Sequence, residues 1–201
     1  AAALGIGLDV EQPEGHMIID IGGGTTEIAV IALSGIVTDQ SLRVAGDDFT
    51  YDIIEHVKRQ HNILIGERTA EQIKIHVGAA IQELDNPPED FPVHGRDLLT
   101  GIPKQVIVTY VEIAAALDKS ISKIEEGIMR ALESTPPELA SDIYQKGLYL
   151  TGGGALLRGL DKRISLKTKL PVQVAEDPLR AVVRGTGLAL KNRHKYTFLL
   201  S

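Results

Sequence analysis

The sequence contains no cysteine, so neither a disulfide nor a cysteine-ligated metal site is possible. It also has no excess of positive charge. Its formal net charge is -6, which argues against nonspecific binding to nucleic acid. No apolar run approaches the roughly 20 residues that cross a bilayer, and no signal peptide is visible. These absences indicate that the protein lies in the reducing environment of the cytoplasm and has no nucleic-acid partner.

What the chain does have is apolar sequence for a core and two glycine-rich stretches. Its 201 residues are 43% hydrophobic, enough to bury the core of one or two small domains. The first glycine-rich stretch, His16–Ile31, places three glycines and two threonines between two apolar runs. Two strands joined by such a turn form a β-hairpin, which differs from the strand, loop and helix of a Walker motif.

The turn of this hairpin has the residue types of a phosphate site. Its glycines are Gly22, Gly23 and Gly24. Because they carry no Cβ, their backbone N–H groups can close around a phosphate. Thr25 and Thr26 add hydroxyl groups at the same edge, and Asp20 supplies a carboxylate where a hydrated divalent cation could bind. Most glycine-rich hairpins bind nothing, and Asp20 would then only cap the turn, so the motif alone leaves both interpretations open.

The second glycine-rich stretch follows a predicted strand, Gly147–Leu150. It consists of Gly152, Gly153, Gly154 and Ala155, and we predict a helix that starts at Ala155. Backbone in such a turn can approach a flat ligand closely, and a helix N-terminus offers free N–H donors and the positive end of the helix dipole. Two glycine-rich strand ends well over a hundred residues apart resemble the actin-like ATPases, in which one binds phosphate and the other adenosine.

Several segments of the chain together point to one protein family. These segments are Asp20–Val30, Arg68–Lys74, Gly95–Pro103, Thr135–Ala140, Leu150–Leu160 and Ala175–Pro178. They resemble the MreB family of bacterial actins. The resemblance implies an α/β fold, the second half of an actin-like (ribonuclease H-like) ATPase, with a mixed sheet flanked by helices. Residues 1–45 and 112–201 would form the larger lobe, which carries the nucleotide motifs, and residues 46–111 would form an inserted small α+β lobe.

The same resemblance implies how the first turn would act, with ATP or ADP and Mg²⁺ as cofactors. Gly22–Gly24 and Thr25 would hold the β- and γ-phosphates, and Thr25 would also orient the hydrolytic water. Asp20 would contact Mg²⁺ through water. Thr26 is either a neighbouring donor or a residue that only packs in the hairpin.

The nucleoside end of the site follows from the resemblance as well. Gly152–Ala155 would hold the nucleoside, and Glu71 and Lys74 would contact the ribose and the adenine end. Spacing alone favours a simpler role for Glu71 and Lys74. Three residues apart on a predicted helix, they would form a surface ion pair worth about 0.3–0.5 kcal/mol.

The resemblance implies an ATP-binding, filament-forming protein that organises cell-wall elongation and rod shape. Its partners would be further copies of itself, a RodZ-like adaptor and cell-wall elongation proteins. The start at Ala1–Ala3 resembles the end of the helix that connects the two halves of such proteins. We therefore expect ATP hydrolysis coupled to polymerisation in the complete protein and negligible hydrolysis by this half alone. Membrane contact would come from the upstream half.

Two other classes of protein stay open. A chaperone ATPase or a sugar kinase uses the same duplicated fold, and the fold alone does not fix the function. A kinase would need a substrate-binding acid or base in the cleft, and a chaperone would carry a peptide-binding region after the last helix. Half a nucleotide site could also serve as a non-catalytic binding module.

Local signals predict the boundaries of several helices. Capping boxes at Thr69–Gln72 and Thr109–Glu112 each predict a helix start, and the second one precedes a long amphipathic pattern. Gly46–Asp48 is predicted to form a turn and helix cap. Asp177 is predicted to be the N-cap of the last helix.

Two further predictions concern polar residues. No histidine pair has the i, i+4 spacing of a helical metal site. We therefore expect surface or turn positions for His16, His56, His61, His76 and His94. Lys191–Tyr196, which includes His194, is predicted to be a polar tail.

Overall fold

Two β-sheets organise the chain in the computed structural model, which describes residues 1–192 and 194. The larger sheet has five strands in the order β3-β2-β1-β7-β8, and the smaller one has three in the order β4-β5-β6. The strands are β1 (His16–Ile21), β2 (Thr26–Ala32), β3 (Gly35–Leu42), β4 (Ile63–Leu64), β5 (Phe91–Asp97), β6 (Pro103–Val108), β7 (Leu148–Thr151) and β8 (Val172–Val174).

Helices connect and cover these strands. They are α1 (Ala2–Gly5), α2 (Gly46–His61), α3 (Glu67–Val77), α4 (Tyr110–Glu133), α5 (Pro137–Lys146), α6 (Leu160–Thr168) and α7 (Ala181–Lys191). Two short 3₁₀ turns span Gly153–Leu156 and Pro178–Arg180. In the part of the chain that the structure describes, no helix has both the length and the apolar character to cross a membrane.

Strand β1 is the centre of the larger sheet and is buried on both faces. Met17, Ile19 and Ile21 join the main core, whereas Ile18 packs in a second apolar cluster with Leu4. The strand pairs antiparallel with β2 and parallel with β7, so the sheet is mixed. The predicted β-hairpin is confirmed.

Helix α4 packs against the larger sheet along an apolar stripe. The stripe consists of side chains that are 0% exposed: Ile113, Leu117, Ile121, Ile124 and Ile128. The helix starts at the predicted capping box, where Thr109 Oγ1 accepts from the Glu112 N–H at 3.3 Å and Glu112 Oε1 accepts from the Thr109 N–H at 2.6 Å. Full burial of each isoleucine contributes about 1.5–3 kcal/mol. The predicted α/β fold, a mixed sheet flanked by helices, is confirmed.

The smaller sheet lies with α2 and α3 inside residues 46–111. Strand β5 is its central strand and pairs antiparallel with β4 and β6. Phe49, Ile73 and Val93 are at most 1% exposed and belong to the same continuous core as the larger sheet. The division of the chain into two lobes, with residues 46–111 as the smaller one, stays a prediction.

The predicted start of helix α3 is wrong. The helix begins at Glu67, with Gly66 as its N-cap in an extended conformation. The N–H of Thr69 donates to the carbonyl of Gly66 at 3.0 Å, so Thr69 already lies within the first turn. Backbone hydrogen bonds therefore start this helix before the Thr69–Gln72 capping pattern is reached.

The helices after β7 also start later than predicted. The glycine stretch forms a 3₁₀ turn instead of a helix that starts at Ala155, because Leu157 is extended and ends the turn. Gly159, whose φ is 74°, then precedes α6. Asp177 precedes another 3₁₀ turn, and α7 begins only at Ala181. In the predicted tail Lys191–Tyr196, positions 193, 195 and 196 lie outside the described residues.

The prediction for the histidines is wrong for His16 and His56, which are only 6% and 7% exposed. His56 and His61 place Nε2 at 3.2 and 2.8 Å from the same carboxylate oxygen of Glu112. Burial raises the pKa of Glu112, but hydrogen bonds from the Thr109 backbone and from both histidines outweigh it and lower the pKa overall. Glu112 thus caps α4 with one oxygen and joins α2 to α4 with the other.

Helix α1 crosses α7 at a pair of glycines. A Cβ on Gly5 would lie 1.7 Å from the carbonyl oxygen of Ala181, and a Cβ on Gly185 would lie 1.8 Å from that of Ala1. Real side chains cannot occupy these positions without separating the two helices. The absence of side chains here allows the two helix backbones to touch.

We expect Gly185→Ala to lower the free energy of unfolding by about 1–3 kcal/mol, the usual cost of overpacking. Gly187 lies on the same helix, but a Cβ there would meet no atom within 4 Å. Gly187→Ala should raise the free energy of unfolding by about 0.5–1 kcal/mol, because alanine is the better helix former. Urea unfolding of both variants measures the difference. Equal shifts of one sign would contradict the close crossing of α1 and α7.

Candidate functional site

The turn between β1 and β2 is held tightly against the start of α2. The Gly22 N–H donates to the carbonyl of Thr25 at 2.9 Å and closes the turn. The N–H groups of Gly46 and Asp47 donate to the carbonyls of Gly22 and Gly23, at 3.0 and 2.8 Å. The carbonyl side of the turn is therefore fixed by helix α2.

The opposite side of the same turn has free donors. Within residues 1–192 and 194, the N–H groups of Gly23 and Gly24 donate to no protein acceptor, and both glycines are exposed. The carboxylate of Asp47 lies beside the turn, since a Cβ on Gly23 would be 3.4 Å from its Oδ1. Successive free backbone N–H groups of this kind form an anion-binding concavity.

Asp20 presents a half-buried carboxylate at the end of β1. In the described part of the chain, no side chain donates a hydrogen bond to this carboxylate or forms an ion pair with it. Burial raises its pKa, and the charge of Glu27, its cross-strand partner in β2, adds to that effect. A desolvated carboxylate without a protein partner is suited to a hydrated cation.

The glycine turn after β7 lies directly against the end of β1. A Cβ on Gly152, whose φ is 81°, would lie 2.3 Å from the carbonyl oxygen of Ile21 and 2.5 Å from Oδ1 of Asp20. A Cβ on Gly154 would lie 2.2 Å from Cγ2 of Ile21. Only glycine allows this approach. Both glycine turns therefore meet at one edge of the sheet.

A short hydrogen-bonded segment extends the site beyond the second turn. The Gly152 N–H and the Thr151 hydroxyl both donate to the carbonyl of Pro178, at 3.0 and 3.1 Å. These bonds fix the Pro178–Arg180 turn. They thereby bring Leu179 and the first turn of α7 to the edge of the site.

Glu71 and Lys74 lie on α3, where it faces α2. Lys74 Nζ is 2.7 Å from Oε2 of Glu71, so the ion pair that their spacing predicted is confirmed. The same Nζ donates to the carbonyl of Gly46 at 2.8 Å and to Oγ1 of Thr50 at 2.9 Å. The pair is thus joined to the helix that holds the first glycine turn.

All these elements border one open cavity of about 850 Å³, a volume in the range of small-molecule sites. The sequence-predicted residues that line it are Asp20, Gly22, Gly23, Glu71, Lys74, Gly152, Gly153 and Gly154. The residues that sequence analysis did not predict to line it are Gly46, Asp47, Phe49, Ile75, Leu156, Leu157, Pro178, Leu179 and Val182. Seven of the second group are apolar side chains, and together they form an apolar wall of the cavity.

Four predicted residues do not line the cavity. Gly24 and Thr25 lie at the exposed tip of the turn. Thr26 is 0% exposed, and its hydroxyl donates to the carbonyl of Val44 at 2.7 Å, which favours the packing interpretation of this residue. Ala155 is buried at 4% exposure beneath the second turn.

The mixed sheet, with a glycine turn after each of two adjacent parallel strands, agrees with the actin-like fold that the sequence predicts. Residues 1–197 match the family described as MreB/Mbl protein. The chain therefore belongs to the MreB/Mbl family.

Individual relatives agree with this assignment. The chain is 49% identical to the cell shape-determining protein MreB of Escherichia coli strain K12 over 191 residues, which are 95% of this chain and 54% of the relative. It is 45% identical to the cell shape-determining protein Mbl of Bacillus subtilis strain 168 over 194 residues, 96% of this chain and 58% of the relative. The chain thus spans a little more than half the length of these relatives.

A solved structure shows the same fold. It is MreB 5 of Spiroplasma citri bound to AMPPNP, with a TM-score of 0.93 and 40% sequence identity. The match covers 100% of this chain and 60% of that one. The fold expected from the sequence, about half of an actin-like protein, is confirmed.

The position of Asp20 leads to a prediction about stability. We expect Asp20→Asn to raise the free energy of unfolding at pH 7, because the folded chain holds an ionised carboxylate whose pKa is raised by burial. The gain should shrink as the pH falls through the raised pKa and vanish below the ordinary value of 3.8, where the carboxyl is protonated in both the folded and the unfolded states.

Urea unfolding at several pH values measures this difference. Glu27→Gln serves as a comparison, since it removes the second cause of the shift and leaves Asp20 in place. It should give a smaller gain of the same sign. A loss of stability in Asp20→Asn at neutral pH would mean that the carboxylate has a stabilising protein partner.

Proposed function

We propose that this chain forms one half of an ATP site in a filament-forming, cell-shape protein of the MreB/Mbl family. The observation that carries the proposal is that both glycine turns border the same cavity of about 850 Å³. Two structures of MreB 5 of Spiroplasma citri, about 40% identical to this chain, are bound to AMPPNP and to ADP. The other half of the site would come from the part of the relatives that this chain does not cover.

The first turn supports binding of phosphate with Mg²⁺. The free N–H groups of Gly23 and Gly24 would donate to the β- and γ-phosphates. Mg²⁺ usually keeps several waters and takes one or two carboxylates in addition to phosphate oxygens. The carboxylate of Asp20, which forms no ion pair within the described residues, fits that requirement, and it would hold the hydrated ion from the end of β1. The bound ion would supply neutralisation of the charge on the phosphates.

The second turn supports binding of the nucleoside. Gly152, Gly153 and Gly154 have no side chains that would keep a flat base from the backbone. The apolar wall that includes Leu156, Leu179 and Val182 would bury the base. Glu71 is partly exposed, at 45% of its side chain, and is the acidic residue of α3 in the cavity wall. It would accept a hydrogen bond from the ribose.

Hydrolysis would depend on positioning and electrostatics. Phosphoryl transfer leaves little covalent chemistry to the protein, so groups that orient the attacking water carry much of the rate. Thr25 closes the turn through its carbonyl and lies at its exposed tip. We assign its hydroxyl the role of orienting that water. The hydrogen bond from the Gly22 N–H to the Thr25 carbonyl would hold the turn in place.

We expect Thr25→Ala, in a complete protein that carries this chain, to lower ATP turnover about 100-fold while nucleotide affinity changes less than threefold. The reason is that an interaction made mainly in the transition state affects turnover more than binding. Steady-state hydrolysis and equilibrium binding of ATP measure the two effects. Thr25→Ser keeps the hydroxyl and should retain most of the turnover. Equal losses of affinity and turnover in Thr25→Ala would make Thr25 an ordinary phosphate ligand.

Filament formation is supported by an exposed apolar tip on the smaller sheet. The loop between β5 and β6 presents Leu98, Leu99 and Ile102 with 43%, 87% and 63% exposure. Asp97 closes the loop by accepting from the N–H groups of Thr100 and Leu99, both at 2.9 Å, and these bonds lower its pKa to about 2. An exposed apolar surface of this kind is typical of an interaction site.

We propose that this tip contacts the next copy in a head-to-tail filament. Such heterologous contacts do not close into rings and so extend indefinitely. A related structure, 25% identical to this chain with a TM-score of 0.70, is the MamK double helical filament. We also propose that residues 46–111 act as a separate small lobe. We propose as further partners a RodZ-like adaptor and cell-wall elongation proteins.

We expect Leu99→Asp to raise the critical concentration for polymerisation of the complete protein by about tenfold or more, because it places a charge in an apolar contact. Arg96→Glu, at the base of the same loop, should raise it too. Leu166 on α6 is 66% exposed and gives a matched control, Leu166→Asp. Sedimentation at several protein concentrations measures all three variants. Unaltered pelleting of Leu99→Asp, with nucleotide binding intact, would remove the tip from the filament contact.

The alternative functions have less support. A chaperone or sugar kinase would share the fold, but the family match extends over residues 1–197 and the relatives are cell shape-determining proteins. A non-catalytic binding module would lack turnover even in a complete protein. The Thr25 experiment therefore also distinguishes that alternative, because the unsubstituted protein would then show no hydrolysis.

A further inference from the structure

The ammonium group of Lys74 has no donor left for a ligand. It lies within hydrogen-bond distance of three acceptors: Oε2 of Glu71 at 2.7 Å, the carbonyl of Gly46 at 2.8 Å and Oγ1 of Thr50 at 2.9 Å. An ammonium group has three N–H donors, so these acceptors account for all of them. The side chain is only 17% exposed. Lys74 therefore lines the cavity with its hydrogen bonds already satisfied by protein.

The contact to Gly46 connects Lys74 to the turn between β1 and β2, residues 22–25, which is called the phosphate turn from here on. Lys74 donates to the carbonyl of the Gly46–Asp47 peptide, and the N–H of that same peptide donates to the carbonyl of Gly23 at 2.8 Å. The Gly46 N–H donates to the carbonyl of Gly22 at 3.0 Å. One lysine is thus linked through a single peptide group to the turn that would hold phosphate.

Close packing leaves this link little freedom. A Cβ on Gly46 would lie 3.1 Å from the carbonyl oxygen of Gly22 and 3.6 Å from Nζ of Lys74. Thr50 braces the arrangement, because its hydroxyl accepts from Lys74 and also lies 3.1 Å from Oε2 of Glu71 and from the Gly46 carbonyl. Movement of Lys74 would therefore be transmitted to the Gly46 peptide.

We propose that Lys74 is a positioning residue for the phosphate turn and not a contact to the nucleoside. Thr50 is a second positioning residue, which holds Lys74 on the Gly46 carbonyl. This inference rests on the nucleotide site proposed above. It differs from the role that the family resemblance implied, in which Lys74 contacts the adenine end of the nucleotide.

The two roles predict different ligand dependence. In the full-length protein with Mg²⁺ present, Lys74→Met should weaken binding of ADP and of pyrophosphate by the same factor, about tenfold, as expected for loss of a charge-assisted hydrogen bond. A direct nucleoside contact would instead weaken ADP and leave pyrophosphate unchanged. Isothermal titration calorimetry measures both ligands, and that second pattern would overturn the proposal.

A matched control is available on the neighbouring helix. Lys58 forms an i, i+3 pair with Glu55 at 3.6 Å, as Lys74 does with Glu71, but it lies outside the cavity lining. Lys58→Met should leave the affinity for both ligands unchanged. Equal effects of Lys58→Met and Lys74→Met would assign the loss to general charge and overturn the positioning role.

A second measurement needs no nucleotide. Amide hydrogen exchange at Gly46 and Asp47 should become about tenfold faster in Thr50→Val, and Thr50→Ser should restore the slow rate because it keeps the hydroxyl. This pair also serves if Lys74→Met fails to fold. Unchanged exchange in Thr50→Val would contradict the proposal. If the parent protein binds neither ligand, the proposed function fails, and the exchange rates alone decide the role of Lys74.

Discussion

The site depends on the close approach of the β7 turn to the end of β1. Side chains at Gly152 or Gly154 would collide with Ile21, so glycine at both positions is what allows adjacent parallel strands to end in two turns on one edge. The same approach places the Gly152 N–H on Pro178 and so fixes the segment that carries the apolar wall.

Local sequence signals predicted those parts of the fold that local interactions determine. The hairpin follows from two apolar runs around a glycine turn, and the start of α4 follows from the Thr109–Glu112 capping box, whose two hydrogen bonds involve only neighbouring residues. The Thr69–Gln72 pattern has the same form but lies inside a helix that backbone bonds to Gly66 have already started. A capping pattern therefore predicts that a helix is present, but it does not fix the residue at which the helix begins.

The residues of the candidate site also fall into two groups, those that the sequence predicts and those that only the structure identifies. The glycines and Asp20 could be identified as candidate site residues from the sequence, because their residue types in that pattern suit a phosphate and a cation. Glu71 and Lys74 could be identified only through the family resemblance. The apolar wall could not be found, because Leu179 and Val182 are ordinary apolar residues until the Pro178 contact places them. The burial of His56 could not be predicted either, since its partner Glu112 is distant in sequence.

The hydrogen bonds from α2 to the first turn affect how strongly that turn can attract an anion. A peptide whose carbonyl accepts a hydrogen bond becomes more polarised, which makes its own N–H a stronger donor. The carbonyls of Gly22 and Gly23 accept from α2, and the N–H groups of those same two peptides are the free donors of Gly23 and Gly24. The first turn of α2 also carries Asp47 and Asp48, whose carboxylates offset the positive end of the helix dipole. Polarisation by α2 therefore reaches the N–H groups of Gly23 and Gly24 through the two peptide groups and not through the charge at the helix end.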